Sequence, residues 1–287
     1  MSVDALRHFV DQHERLFVLT GAGCSTDSGI PDYRDAAGDW KRKPPVTLQA
    51  FVGDAATRRR YWARNMLGWG RFGHASPNLA HEALARLEHG GKQQVLLTQN
   101  VDRLHQAAGS RNVIDLHGRM DVVVCLACQH SSARELLQEE LLARNPAWVD
   151  LAASPAPDGD ADIERADFSA FDVPDCTQCG GLLKPDVVFF GENVPRERVD
   201  AATHHLQQAD AMLVVGSSLM VYSGFRFAQM AARLGKSIAA VNLGTTRADD
   251  LLTLKVEESC AQALAFLLAG PSVGNQRLAH GINPAIQ

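Results

Sequence analysis

The sequence has no excess of positive charge, no apolar run long enough for a membrane span, and few aromatic residues. Acidic side chains outnumber basic ones, 33 to 28, and the net charge is −5. That excludes a broad basic field for non-specific nucleic-acid binding, and no nucleic-acid partner is expected. The longest uncharged apolar stretch, Ala211 to Phe225, is too short to cross a bilayer and is interrupted by Gly216, Ser217 and Ser218. No membrane partner is expected either. The first fifteen residues mix Asp4, Asp11 and Glu14 with Arg7 and Arg15. They show neither the apolar stretch of a secretory leader nor the acid-poor character of an organelle leader, which predicts a cytoplasmic protein. Aromatics make up only 6% of the chain, yet the apolar fraction is 46% over 287 residues. That is enough for a real core in one large domain with a smaller satellite.

Short β-branched runs occur at Leu16 to Leu19, Val95 to Leu97, Val113 to Leu116, Val187 to Phe190, Met212 to Val215 and Ile238 to Val241. They read as buried parallel strands. Helix-like stretches at Asn78 to Glu88, Val199 to Gln208 and Phe225 to Leu234 alternate with them, which predicts an α/β fold with a doubly wound, Rossmann-like parallel sheet. Polar or glycine residues follow each strand at once: Gly21-Ala22-Gly23, Gln99-Asn100, His117-Gly118, Gly191-Glu192, Gly216-Ser217-Ser218 and Asn242-Leu243-Gly244. Ligands of open parallel sheets bind at the carboxyl ends of the strands, so these scattered residues converge on one expected crevice.

Two segments interrupt the alternation. Residues from about 44 to 76 read as a helical insert, and 121–182 as a small domain holding four of the six cysteines, leaving 1–120 and 183–270 as the large domain. Asn145 to Pro174, with Asp158, Asp160, Asp162 and Glu164, reads as a long surface loop. Pro271 to Gln287 reads as a loosely ordered tail.

The stretch VLTGAGCSTDSGIPDYRD, Val18 to Asp35, has G-x-G but its next glycine comes six residues later, so it departs from the dinucleotide fingerprint. Gly21 and Gly23 can bring backbone N–H groups to a pyrophosphate. Gly29-Ile30-Pro31 should end any helix after about one turn of ~4 residues, so the chain leaves as a loop with Asp32, Tyr33 and Arg34. A plain glycine turn is the alternative. Cys125-x-x-Cys128 and Cys176-x-x-Cys179 have the spacing of a four-cysteine structural zinc site. An iron–sulfur cluster or a redox dithiol are the lesser alternatives. His117, at a strand end, can act as a general base, although it is one of eleven histidines. Gln99, Asn100 and Asp102 carry amide and carboxylate groups suited to ribose hydroxyls and a carboxamide, or Asn100 simply caps a helix. Cys24 reads as core filler.

Taken in order, GAGCSTDSGIPDYRD, TQNVDRLH, LHG, the two Cys pairs, KPDVVFFGE, VVGSSL and VNLG resemble the sirtuin family from about Leu16 to Leu268. The resemblance implies an NAD+-dependent protein lysine deacylase that consumes NAD+ and holds one structural Zn2+. Gly21, Ala22 and Gly23 would hold the pyrophosphate while Ile30, Pro31, Asp32, Tyr33 and Arg34 fold over the nicotinamide end. Gln99, Asn100, Val101, Asp102 and His117 would surround the nicotinamide ribose, with His117, Asn100 and Asp102 carrying the catalysis. Gly216, Ser217, Ser218, Asn242, Leu243 and Gly244 would hold phosphate and adenosine, with Cys260 near the adenine. The acyl oxygen of the substrate lysine attacks the ribose, nicotinamide leaves, and His117 acts as base on the ribose hydroxyls. Deacylated lysine and O-acyl-ADP-ribose are the products. Val188, Phe189, Phe190, Gly191 and Glu192 would pair with an acyl-lysine protein or peptide as an added strand. Mono-ADP-ribosyl transfer or NAD+ hydrolysis at the same site is the enzymatic rival, and a catalytically idle zinc-ribbon binding module the non-enzymatic one.

Tyr33 in place of the more frequent Phe, together with RYWARN, NPAW and APDGD, resembles the class II branch, including its mitochondrial member. The Y-x-x-R spacing of Tyr61 and Arg64 resembles the acidic-acyl pocket of desuccinylating sirtuins, which implies acceptance of acidic acyl groups. A structural arginine in a helical insert is the alternative.

Overall fold

A computed structural model of the chain describes residues 2–163 and 167–269. Glu164 and the expected tail from Pro271 to Gln287 lie outside them. Along the chain run α1 (Val3–Gln12), β1 (Leu16–Thr20), α2 (Leu48–Gly53), α3 (Ala55–Phe72), α4 (Leu79–His89), β2 (Gln93–Thr98), α5 (Leu104–Ala107), β3 (Val113–Asp115), β4 (Gly118–Cys125), β5 (Ser131–Ala133) and α6 (Arg134–Arg144). There follow β6 (Ser154–Pro155), β7 (Ala161–Asp162), β8 (Leu183–Val187), α7 (Arg196–Gln208), β9 (Ala211–Val215), α8 (Tyr222–Arg233), β10 (Ser237–Val241), β11 (Leu254–Val256) and α9 (Cys260–Leu264).

Six strands form one parallel sheet in the order β11-β10-β9-β1-β2-β3. Read from the other edge, this is the dinucleotide-fold order, and it reverses direction at β1. Both central strands are buried along their whole length, and the pleat sends alternate side chains to opposite faces. Leu16, Val18, Leu213 and Val215 meet Leu6, Phe9 and Leu84 from α1 and α4 on one face. Phe17, Leu19, Met212 and Val214 meet Leu206, Phe227 and Ala228 from α7 and α8 on the other. The continuous apolar runs are therefore what a sheet covered on both sides requires.

One run is not part of this sheet. Leu183–Val187 pairs antiparallel with β4, and β5 completes a separate three-stranded sheet. The expected parallel strand at Val187 to Phe190 is thus corrected: Val188 donates to the His117 carbonyl at 2.8 Å, and Phe190 bridges to Thr47. An apolar run reports burial, not strand direction. Here the burial is supplied by the helical insert, where Phe51, Trp62 and Met66 join Val187 and Phe189 in a third core.

The insert is two helices hinged at Asp54, which ends α2 and caps α3 by accepting from the N–H groups of Ala56 and Thr57. The expected long surface loop from Asn145 to Pro174 is more tightly held than its composition suggests. Trp148 stacks on Phe168 and meets Phe171 edge-on, and Pro157, Gly159 and Ala161 are buried. A Cβ on Gly68 of α3 would come within 2.2 Å of the Gly159 carbonyl oxygen, so only glycine admits the loop there. Among the described residues no helix is long and apolar enough to cross a membrane.

Candidate active site

At the carboxyl ends of β1, β2 and β9 a crevice of about 360 Å³ opens between the sheet and the segment after β8. The glycine turn forms its floor. Two short 3₁₀ turns, Ala22–Cys24 and Thr26–Ser28, end at Gly29, whose φ of 83° is left-handed. The helix therefore stops where the Gly-Ile-Pro sequence predicts. The expectation that Gly21 and Gly23 offer their N–H groups to a ligand needs correction. Gly21 donates to the Val215 carbonyl at 3.1 Å and Gly23 to that of Gly216 at 2.9 Å. These bonds tie the turn to the end of β9, and a Cβ on Gly21 would sit 2.8 Å from Ser217 Cβ. The N–H groups of Ala22, Ser217 and Ser218 have no partner among the described residues. All three residues line the crevice.

His117 leaves β3 and enters the crevice with both ring nitrogens engaged. Nδ1 lies 3.0 Å from the Gln99 carbonyl oxygen and Nε2 2.7 Å from Ser223 Oγ. A carbonyl only accepts, so Nδ1 carries the proton and Nε2 presents its lone pair. Burial, aided by the Arg198 and Arg226 charges, pushes the imidazole down to about 4 although the Gln99 bond opposes this. It is neutral at physiological pH, as a base must be.

Behind it lies a buried hydrogen-bond network. Asn100 Nδ2 donates to the Gly21 carbonyl at 3.0 Å and to Ser25 Oγ at 3.1 Å. Ser25 donates to Asp102 at 2.7 Å, and Asp102 also accepts from the Leu104 N–H. Burial raises the Asp102 carboxyl against the pull of these bonds. Thr20 Oγ1 joins Thr98 at 2.8 Å and His105 Nε2 at 2.9 Å, and His81 reaches Ser25 at 3.4 Å. Burial keeps His81 near 4 and lowers His105. Gln99 Nε2 donates to Ser217 Oγ at 2.7 Å, joining the ends of β2 and β9.

Most of the residues expected from the sequence line this crevice: Gly21 to Gly23, Asp32 to Arg34, Gln99 to Val101, His117, Val188 to Glu192, Gly216 to Ser218, Asn242 and Leu243. Others stand behind it. Ile30 is buried in the third core, and Ile30 and Pro31 face a different cavity. Asp102 accepts from Ser25, and Cys260 donates its thiol to the Gly23 carbonyl at 3.5 Å. Gly244 lies against Ala36, where a Cβ would come within 2.3 Å of the carbonyl oxygen. Cys24 is buried as expected of core filler. Ser25, Ser223, Asp158, Trp40 and the two inner histidines were not identified from the sequence. Ser25 and His105 lie inside the quoted motifs and Asp158 inside APDGD and the acidic run, whereas Ser223 carries no local signal.

Tyr61 and Arg64 line a neighbouring cavity of about 310 Å³ whose wall shares Tyr33, Asp158 and Val187 to Phe190 with the crevice. Tyr61 meets Phe51 and Phe189 at ring distances of 5.3 and 5.2 Å. Arg64, with 16% of its side chain exposed, is held by both oxygens of Asp160 at 2.7 and 2.8 Å and by Asp162 at 2.8 Å. The preceding Asp158 accepts from the Tyr33 hydroxyl, and burial raises its carboxyl to about 6. After β8, Glu192 accepts from the Phe189 N–H at 2.9 Å and from Lys184 at 3.1 Å, which fixes the extended segment along the crevice.

The four paired cysteines meet away from the crevice. Sγ atoms of Cys125 and Cys179 are 3.5 Å apart and those of Cys128 and Cys176 3.8 Å. Tetrahedral Zn–S bonds of about 2.3 Å give sulfur–sulfur edges of about 3.8 Å, so the four thiolates fit one structural zinc with no open position. A cluster of several irons would need them further apart. A Cβ on Gly181 would come within 2.8 Å of Cys125 Sγ, so glycine is required beside the site.

The model of the Sir2 family matches residues 21–223. The chain is 67% identical over 267 residues to an NAD-dependent protein deacetylase of Xanthomonas campestris pv. campestris (strain 8004), covering 93% of this chain and 91% of the relative. NAD-dependent protein deacetylase 2 of Bradyrhizobium diazoefficiens is 67% identical over 264 residues, covering 92% of this chain and 97% of the relative. Among solved structures, a Sir2 complex with a p53 peptide and NAD+ superposes with a TM-score of 0.73 at 31% identity, covering 93% of this chain and 98% of that one. A Sir2 enzyme bound to a propionylated peptide gives 0.72 at 30%, with the same coverage. With the parallel sheet, the crevice at its switch point and the four-cysteine cluster already in place, these matches settle the family: the chain belongs to the Sir2 family.

Proposed function

We propose that the crevice brings NAD+ and an acyl-lysine segment of a protein together, with His117 as the general base. The activity is NAD+-dependent removal of an acyl group from protein lysine, giving nicotinamide, O-acyl-ADP-ribose and free lysine. NAD+ is a substrate here and supplies the ribose carbon that the acyl oxygen attacks. In this reading the backbone N–H groups of Ala22, Ser217 and Ser218 hold the pyrophosphate, and Asn242, Leu243, Gly244 and Cys260 form the adenosine end. Ile30 and Pro31 shape the loop that carries Asp32, Tyr33 and Arg34 over the nicotinamide. Asn100, with Ser25 and Asp102 behind it, orients the nicotinamide ribose, and the extended segment Val188 to Glu192 offers backbone groups to the peptide.

The observation that carries the base assignment is the fixed tautomer of His117. Its Nε2 carries no proton and meets only the Ser223 hydroxyl at the crevice, its Nδ1 proton is anchored on the Gln99 carbonyl, and it is neutral at physiological pH. His117→Ala should abolish turnover, a loss of at least about 10²-fold, while thermal melting and zinc content stay unchanged. Persistent turnover would remove His117 as the base. Product masses from acylated lysine peptides check the reaction itself. ADP-ribose free or on protein, without acyl loss, would instead mean hydrolysis or ADP-ribosyl transfer.

Acceptance of an acidic acyl group through Tyr61 and Arg64 belongs to the same reading. The acyl carboxylate must then compete with Asp160 and Asp162 for the guanidinium. A cytoplasmic location is also part of it, and cell fractionation checks it.

A further inference from the structure

The resting site already places a hydroxyl where the base must work. Ser223 stands in the first turn of α8 and lines the crevice. Its Oγ is 2.7 Å from His117 Nε2. Because the Gln99 carbonyl fixes the ring proton on Nδ1, Nε2 has no hydrogen to give, and Ser223 is necessarily the donor. The hydroxyl thus occupies the lone pair that a ribose hydroxyl must reach. The positive end of α8 lies beside the ring and opposes its protonation.

We propose that Ser223 is a positioning residue for His117: it donates to Nε2 in the free enzyme, holds the neutral Nδ1–H tautomer, and yields its place to a ribose hydroxyl when NAD+ enters. This rests on the reading of His117 as the base. In the free enzyme a hydrogen bond to the neutral form disfavours the imidazolium, so its loss lets the histidine take up a proton more readily. In the substrate complex the ribose hydroxyl has replaced Ser223, and the serine no longer affects the titration. The other charged groups around the ring come from every neighbouring element. Arg226 lies on α8, and Arg198 on α7 is 3.7 Å from Asp186 of β8. Glu192 after β8 is paired with Lys184, Asp102 after β2 is bonded to Ser25, and Asp115 of β3 is paired with Arg103. A Ser223 substitution leaves each of these in place.

The test is the pH dependence of Ser223→Ala and Ser223→Thr on an acetyl-lysine peptide, with His117→Ala beside them. A neutral hydrogen bond of ordinary strength corresponds to a shift of roughly half to one pH unit. The acid limb of kcat/KM for NAD+, which reports the free enzyme, should move up by that amount in Ser223→Ala. The acid limb of kcat should stay, and Ser223→Thr should restore the original profile. Superimposable wild-type and Ser223→Ala profiles would overturn the proposal. So would a shift that threonine does not reverse, since lost packing would then explain it. In the wild type, ¹⁵N resonances of His117 should show a protonated Nδ1 and an unprotonated, hydrogen-bonded Nε2; the opposite tautomer also overturns the proposal, whether or not the variants fold. If His117→Ala remains active, the base assignment itself fails, a result separate from any outcome at Ser223.

Discussion

Arg64 shows how one residue's role depends on partners far along the chain. Its place one helical turn after Tyr61 makes it a candidate anchor for an acidic acyl group. In the fold, Asp160 and Asp162 arrive from a loop almost a hundred residues away and take up its donors. A bidentate carboxylate is what a guanidinium grips best, so the loop supplies from within the chain what an acidic acyl group would supply from outside. Asp160→Asn combined with Asp162→Asn should therefore free Arg64. A hydrogen bond to a charged group contributes roughly 1.5–3 kcal/mol, so the glutaryl-to-acetyl ratio of kcat/KM should rise at least about tenfold. An unchanged ratio would mean that Arg64 does not reach the acyl chain. The acidic run is plain in the sequence, but its partners are not: Arg42 also pairs with Asp162, at 2.7 Å.

Among the elements, the glycine turn and the end of β9 form one unit. Gly216 has φ +60°, and a Cβ there would approach Cys24 N within 2.3 Å, so neither the backbone angle nor the space admits a side chain. The tight contact holds the turn against the end of β9, and Ala22 and Ser217 both line the crevice there. The sequence shows glycines at both places, but not that they are needed against each other. The small sheet is held differently. It has only three strands, β4, β5 and β8, and Cys125 at the end of β4 meets the second cysteine pair across an interval of more than fifty residues. Structural zinc contributes roughly 10–16 kcal/mol in small peptide domains. Chelation should lower the melting temperature sharply and strip hydrogen-exchange protection from β4 and β8 before the parallel sheet opens. Melting unchanged after verified metal loss would rule out a structural role for the ion.

For the whole molecule, the crevice lies between the parallel sheet and the segment that leads out of the small one, so ligand binding should couple the two. A ligand at 100 times its dissociation constant stabilises the native state by about 2.7 kcal/mol. NAD+ at that excess should raise the melting temperature of the zinc-loaded protein and slow exchange in both sheets. No shift at a concentration shown by calorimetry to saturate the site would mean that binding does not span them. Periodic burial, strand ends rich in glycine and amide residues, and paired cysteines are local patterns. The sequence by itself therefore determined five of the six strands of the parallel sheet, without β11, and the paired cysteines, and it singled out the turn, the Gln99–Asp102 segment and His117. Strand direction at Leu183–Val187, the carboxylates on Arg64 and the serine on His117 are contacts between distant segments. Only the tertiary structure decided these, because hydrogen bonds and ion pairs depend on which groups the topology brings within about 3 Å, and no local pattern encodes that.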